Sequence, residues 1–205
     1  MYIAHENQQL LDHLQSVATL CRKNAAKIGC DDYGELLSLL HDLGKYSKNF
    51  QDYIQSATGI LDPDIDDDFV ETLEMKGKID HSTAGAQFIW ERLSAGTPIK
   101  RLTAQILSLC LVSHHSGIID CITTDSQGTY DSFTKRIMKS EVKTHFAEVL
   151  EKSKTEIGAR IEALVSKHDF EIPMKQILQN IFVAMPEKKQ QSLLFQFQKG
   201  LLLMN

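Results

Sequence analysis

The chain has 205 residues, 42% of them hydrophobic, with a formal net charge of −5 and an isoelectric point near 5.9. That is enough apolar material for one substantial core, and a single domain over residues 1–205 is expected because no linker-like composition interrupts it. The acidic balance excludes a protein that grips nucleic acid by bulk positive charge, although bound divalent cations would add local charge that a residue count misses.

Cys21, Cys30, Cys110 and Cys121 form no C-x-x-C pair, which fits a reduced intracellular protein; Cys21 and Cys110 lie in apolar helical patterns. The segment Met1–Asn7 lacks the basic start and apolar core of a signal peptide. No apolar run approaches the roughly 20 residues of a membrane span. A cytoplasmic protein is expected.

From Asn7 to Ile28, apolar residues fall at Leu10, Leu14, Val17, Cys21, Ala25 and Ile28, the spacing of an amphipathic helix, with Gly29 as its stop. His13 borders that stripe. A second helix starts at Asp31 or Asp32, where Asp32 and Glu35 resemble a capping box. Leu36, Leu37, Leu39, Leu40 and Leu43 bury it nearly all round, and Gly44 suits the left-handed residue that closes it, so His41 and Asp42 occupy its last turn. Ser47 caps a third helix carrying Phe50, Tyr53, Ile54 and Ala57.

Residues 59–80 are the least regular stretch. Their aspartates at 62, 64, 66, 67 and 68 do not make a calcium loop, because Asp67 stands where such a loop needs glycine and Leu73 where it needs glutamate. A solvated acidic loop is expected. His81 opens the next helix, capped by Ser82 or Thr83 and carrying Phe88, Ile89 and Leu93. Thr97-Pro98 starts another, with Ile99, Leu102, Ile106, Leu109, Cys110 and Val112 as its buried side, leading to His114-His115 and Gly117. Residues 118–131 read as a loop and 132–167 as helix, broken near Ser140. Helices over about 172–184 and 187–204 complete an all-α protein. The last is so apolar at the chain end that the sequence is expected to continue beyond Asn205.

His13, His41, Asp42, His81, His114 and His115 lie within or at the ends of the most apolar helices. Helices of that kind must pack together, and a bundle core is a recurrent place for a metal site. Buried imidazoles without partners are costly, and ligation satisfies them. His5, His145 and His168 stand among polar neighbours and are read as ordinary surface histidines.

The run His41-Asp42-Leu43-Gly44-Lys45 followed by Phe50-Gln51, then His81-Ser82-x-x-Gly85-Ala86 and His114-His115-Ser116-Gly117, resembles the HD phosphohydrolase superfamily. Within it, the similarity is to the HD nuclease domain of the helicase-nuclease of type I CRISPR interference. The resemblance runs from about His13 to Gly117. It implies one metal position built from His13, His41 and Asp42 and another from Asp42, His81, His114 and His115, with Asp42 bridging. It also implies a later aspartate on a C-terminal helix; none follows Asp169 here, so that ligand is expected beyond Asn205, with Asp169 or Glu187 as alternatives.

Mixed imidazole and carboxylate ligands suit Mn²⁺, Ni²⁺ or Co²⁺, with Fe²⁺ and Zn²⁺ admissible and Mg²⁺ disfavoured. The reading is a metal-dependent nuclease cutting single-stranded DNA, with Asp42 and Lys45 as catalytic residues, Lys45 neutralising charge on the phosphate oxygens. A helicase, fused or separate, and a CRISPR surveillance complex are the partners the resemblance implies. Lys135, Arg136, Lys139 and Lys143 are the best basic face, read first as a solvated helix surface. Two rivals stand beside this reading: a phosphohydrolase of small nucleotides or cyclic dinucleotides, and a non-catalytic scaffold with structural metal.

Overall fold

The computed structural model describes residues 2–75, 79–115 and 117–191. They are mostly helical, with two short hairpins that the sequence pattern did not reveal. No helix among the described residues is long and apolar enough to cross a membrane. Two compact units are present, Met1–Phe170 and Glu171–Asn205.

In the first unit, strands β1 (Ile3–His5) and β2 (Gln8–Gln9) pair antiparallel across a turn in which Asn7 is left-handed, φ 62°. Strands this short carry no readable alternation. The Leu10 amide donates to the Tyr2 carbonyl (2.9 Å), joining the hairpin to α1 (Leu10–Ala25). α1 tightens into a 3₁₀ turn over Ala26–Ile28 and stops at Gly29, φ 70°, as its glycine foretells. The tightening turns Ile28 off the buried stripe, so it is exposed rather than buried.

α2 (Asp31–Leu40) is buried on most sides, but its start departs from expectation. No capping box forms. Asp32 accepts from Lys167 (2.6 Å), and Glu35 is gripped by Arg22 of α1 and by Arg160. Cations from neighbouring helices draw these carboxylates away from the helix end. α2 also ends at Leu40, so His41 is its C-cap and Asp42 follows. Gly44 is not left-handed; it sits in a 3₁₀ turn, Leu43–Tyr46.

α3 (Lys48–Ala57) is capped by the Ser47 hydroxyl, which accepts from the Phe50 amide (3.3 Å). A short α4 (Thr72–Met75) follows the run of aspartates. α5 (Thr83–Leu93) is capped by neither Ser82 nor Thr83. The Asp80 carboxylate does it, accepting from the Thr83 amide (3.0 Å) and hydroxyl (2.7 Å). α6 (Pro98–Ser113) has the expected Thr97 cap and first-turn proline.

The α6 face differs from the one read from hydropathy. Thr103, Ala104, Leu107, Ser108, Leu111 and Val112 are buried, Ile99 and Ile106 are half-buried, and Cys110 is exposed. Small hydroxyl residues suit the close contact with α5, where Ser108 donates to the Ala86 carbonyl (3.0 Å). Gly85 lets α5 approach the backbone of α2: a Cβ there would fall far inside contact distance of the Leu40 carbonyl oxygen.

Residues 118–131 hold the second hairpin, β3 (Ile122–Asp125) and β4 (Gly128–Asp131), exposed on both faces. With no face buried, hydropathy does not alternate, although Ile-Thr-Thr and Gly-Thr-Tyr carry strand propensity. The helical region 132–167 is divided into α7 (Ser132–Ile137), α8 (Glu141–Thr144), α9 (Phe146–Ser153), a π-helical turn (Lys154–Gly158) and α10 (Ala159–Val165). The chain breaks after α7, near the expected Ser140, and again at His145, which is left-handed with φ 49°.

The second unit contains α11 (Ile172–Ala184), with proline in its first turn and the expected bounds. Most of the helix expected over 187–204 lies outside the described residues.

Two expectations follow. Gly85→Ala overpacks the α2–α5 contact at a cost of about 1–3 kcal/mol, seen as a melting temperature lower by roughly 2–12 °C. The guanidinium of Arg160, joined by that of Arg22, holds the Glu35 carboxyl below its ordinary value against the opposing effect of burial. Folded protein therefore binds this proton more weakly than unfolded chain. The stabilisation is whole at neutral pH and is lost as pH falls from the ordinary carboxylate range through the lower folded value. Because both arginines are nearly half exposed, Glu35→Gln should cost only about 1 kcal/mol at neutral pH. The gap from wild type should close in strong acid, as thermal melts across pH will show.

Candidate metal centre

The α2 terminus, the start of α5, the end of α6 and the inner side of α1 converge on Asp42. Gly44 makes part of this possible. Its amide donates to the His81 carbonyl (3.1 Å), and a Cβ there would lie 2.5 Å from His81 Cα. The glycine of the His-Asp-Leu-Gly-Lys run thus lets the His81 segment lie against the turn that carries His41 and Asp42.

Asp42 is 3% exposed, and its carboxylate stands between two sets of imidazoles. Oδ2 lies 3.3 Å from His13 Nε2 and 3.2 Å from His41 Nε2. Oδ1 lies 3.8, 3.7 and 4.0 Å from Nε2 of His81, His114 and His115. Two groups therefore offer ligand atoms all within 4.8 Å of one another: His13, His41 and Asp42, and Asp42, His81, His114 and His115. Every histidine singled out from the sequence as a ligand candidate is in one of them.

The donor set fits a divalent cation. Ligands bonded at about 2.0–2.2 Å stand roughly 3–4 Å apart around one ion, close to the spacing found here. Asp42 Oδ1 is buried without a hydrogen-bond partner among the described residues, an expensive state that a cation would relieve. The imidazoles are also oriented from behind. His41 Nδ1 donates to the Ser38 carbonyl (2.7 Å) and His114 Nδ1 to the Leu111 carbonyl (2.6 Å). A proton held at Nδ1 leaves the Nε2 lone pair facing the cluster, the tautomer a metal ligand needs.

Electrostatics act the same way. Burial pushes the Asp42 carboxyl up, but the His114 and His41 imidazoles and the Lys45 ammonium hold it well below the usual carboxylate range. Burial pushes His81 down to about 4, against the pull of Asp42, and also lowers His13 and His115. Neutral imidazoles and an ionised carboxylate are the forms that coordinate metal. His41 is the exception: burial lowers it, but Asp42 and the Ser38 carbonyl raise it overall.

Lys45 is placed differently from the sequence reading. It is 4% exposed, its Nζ lies 2.9 Å from Asp42 Oδ2 and it donates to the Ala4 carbonyl (3.2 Å). Its ammonium is spent on the carboxylate and the N-terminal hairpin, with no open face toward a phosphate. The basic face also resolves differently. Lys139 pairs with Asp80, and Arg136 donates to the Ser82 hydroxyl (3.1 Å), so both brace the segment bearing His81; Lys135 and Lys143 are exposed. Asp169 is exposed and belongs to neither ligand group, and Glu187 lies in the second unit.

Sequence reasoning missed Asp80, which caps α5 and anchors Lys139, and it did not place His5, exposed and outside both ligand groups, beside the cluster. The His5 ring meets His13 edge-on with centroids 5.1 Å apart. Burial and then the charge of Lys45 push His5 down while Asp42 pulls it up, which places it within electrostatic reach of the cluster. The available signal was Glu6-Asn7, a turn pair that folds the residues around it into a hairpin.

The family model described as Cas3, HD domain, matches residues 7–185, and the chain belongs to that family. Membership makes it a metal-dependent hydrolase of the nuclease class found in CRISPR systems. Searches among curated proteins and among solved structures found no match.

Lys45→Met leaves the Asp42 charge buried without its cation, so in chelator it should lose about 3 kcal/mol, a melting temperature lower by roughly 6–12 °C. Saturating Mn²⁺ should recover part of that loss by supplying positive charge on the same carboxylate. For wild type, Mn²⁺ at a hundredfold excess over its Kd should stabilise by about 2.7 kcal/mol, and Asp42→Ala should abolish the rise. Thermal melts with and without chelator measure all four.

Proposed function

We propose that this domain hydrolyses phosphodiester bonds of single-stranded DNA in cytoplasmic CRISPR interference, as part of an HD nuclease domain that spans the chain. The observation that carries the reading is Asp42, with one carboxylate oxygen facing His13 and His41 and the other facing His81, His114 and His115. We assign His13, His41 and Asp42 to one cation and Asp42, His81, His114 and His115 to a second, Mn²⁺, Ni²⁺ or Co²⁺ being favoured by the imidazole-rich set.

When bound, such a pair acidifies water and polarises the phosphate oxygens, which is the chemistry phosphodiester hydrolysis needs. The chain's own residues do the rest. Asp42 holds two neighbouring positions in register. Lys45 keeps that carboxylate ionised and fixed from the buried side. The carbonyls of Ser38 and Leu111 hold His41 and His114 in the ligating tautomer. His114 and His115 lie on the solvent-open side, where a strand could approach.

A domain of net charge −5 holds DNA weakly by itself, so a helicase, on the same or another polypeptide, would supply the strand. Small nucleotides are the second reading, because the same cluster could act on any phosphoester. Circular single-stranded DNA, duplex DNA, RNA and mononucleotides offered with each metal, beside Asp42→Ala, separate the two. Nicking of the circle by wild type, with at least a hundredfold loss in Asp42→Ala, is the expected result. Turnover of mononucleotides with intact circles overturns the first reading in favour of the second.

A further inference from the structure

Two buried polar side chains, Lys45 and Gln51, spend their hydrogen bonds on the backbone of β1. The Ile3 amide donates to Gln51 Oε1 (3.0 Å), Gln51 Nε2 donates back to the Ile3 carbonyl (3.0 Å), and Lys45 Nζ donates to the Ala4 carbonyl (3.2 Å). Gln51 Nε2 also reaches the Lys45 carbonyl (2.8 Å), so tether and metal-bearing turn are one network. Its last fixed residue is Ala4, and the next is His5, an exposed imidazole set edge-on against His13.

A strand that served only to cover the core would be held well enough by Ile3 and Ala4, 6% and 1% exposed. Clamping the same residues with buried donors and acceptors fixes β1 in register as well. A displaced register would carry His5 to the other face of the strand. Lys45, the cation that sequence would assign to the phosphate, is buried behind Asp42. An exposed donor beside the first ligand group is His5, whose ring lies against that of His13. It is not itself within the set of ligand atoms that converge on Asp42.

We propose that His5 is a substrate-contacting residue: its imidazole N–H donates to a phosphate oxygen of the strand bound over the His13–His41–Asp42 group, held there by the Lys45–Gln51 tether. The inference rests on the proposed nuclease reading and names a contact of that same site. Its role is binding rather than bond-making, so its loss falls on KM more than on kcat.

The test uses the full chain, as wild type, His5→Ala, His5→Lys and Gln51→Ala. Binding of a phosphorothioate single-stranded oligonucleotide is read by fluorescence anisotropy against salt in Mn²⁺, beside cleavage kinetics and Mn²⁺ titration. His5→Ala should weaken oligonucleotide binding about 5- to 10-fold and raise KM similarly, with kcat within about twofold and the slope of log K against log salt unchanged, because a neutral imidazole N–H releases no counterion. His5→Lys, which keeps a donor, should recover most of the binding. Gln51→Ala should weaken binding as His5→Ala does while also lowering the melting temperature.

Unchanged binding and KM in His5→Ala overturns the proposal, and so does loss of bound Mn²⁺ in that variant, which would make His5 a ligand. A drop in melting temperature equal to that of Gln51→Ala, with no recovery of binding in His5→Lys, overturns it as well by making His5 structural. Wild-type protein that neither binds nor cuts the oligonucleotide sinks the nuclease reading itself, a result distinct from an active wild type indifferent to His5→Ala.

Discussion

The Asp42 carboxylate is the constraint around which the first unit is arranged. An ionised group this deeply buried is tolerable only where positive charge or donors surround it, because desolvation alone costs several kcal/mol. Lys45 supplies a cation from the buried side, and the imidazoles crowd the other. The surrounding scaffold follows from that need. α2 is packed with leucines so that its C-terminus is rigid, Gly44 admits the backbone of His81, and Gly85 lets α5 lie on α2.

The buried polar groups share one logic. Asp80, Thr83, Lys139 and Arg136 form a chain of contacts that fixes the approach to His81. Gln87 adds to it by donating to the Ile137 and Lys139 carbonyls, both at 2.9 Å, tying the end of α7 to α5. Charged residues that a surface reading would leave solvated are working as struts. A metal cluster requires this stiffness, since imidazoles free to rotate would cost affinity at every binding event.

Much of this was legible beforehand, for identifiable reasons. The helices with strong stops or caps, such as the one ending at Gly29 and those begun by Ser47 and Thr97, came out where their residues place them, because capping is local chemistry. The candidate ligands were readable because histidine beside leucine-rich helix is poorly explained by packing. Tertiary partners were not readable. Asp32 and Glu35 look like a capping box until Lys167, Arg22 and Arg160 arrive from far along the chain. Lys45 looks like a phosphate ligand until the Ala4 carbonyl lies above it. His5 looked like an ordinary surface residue because the hairpin that carries it is too short for any periodicity.

The scatter of the candidate ligands along the chain has a consequence for biogenesis. Adjacent pairs, His41-Asp42 and His114-His115, exist as soon as each stretch is synthesised, but neither pair closes a site alone. Enclosure needs α1, α2, α5 and α6 docked together, so a nascent or unfolded polypeptide offers only open, low-affinity half-sites. A cation held by these residues would therefore be enclosed only once those helices are docked, when geometry rather than intrinsic affinity can choose among competing ions.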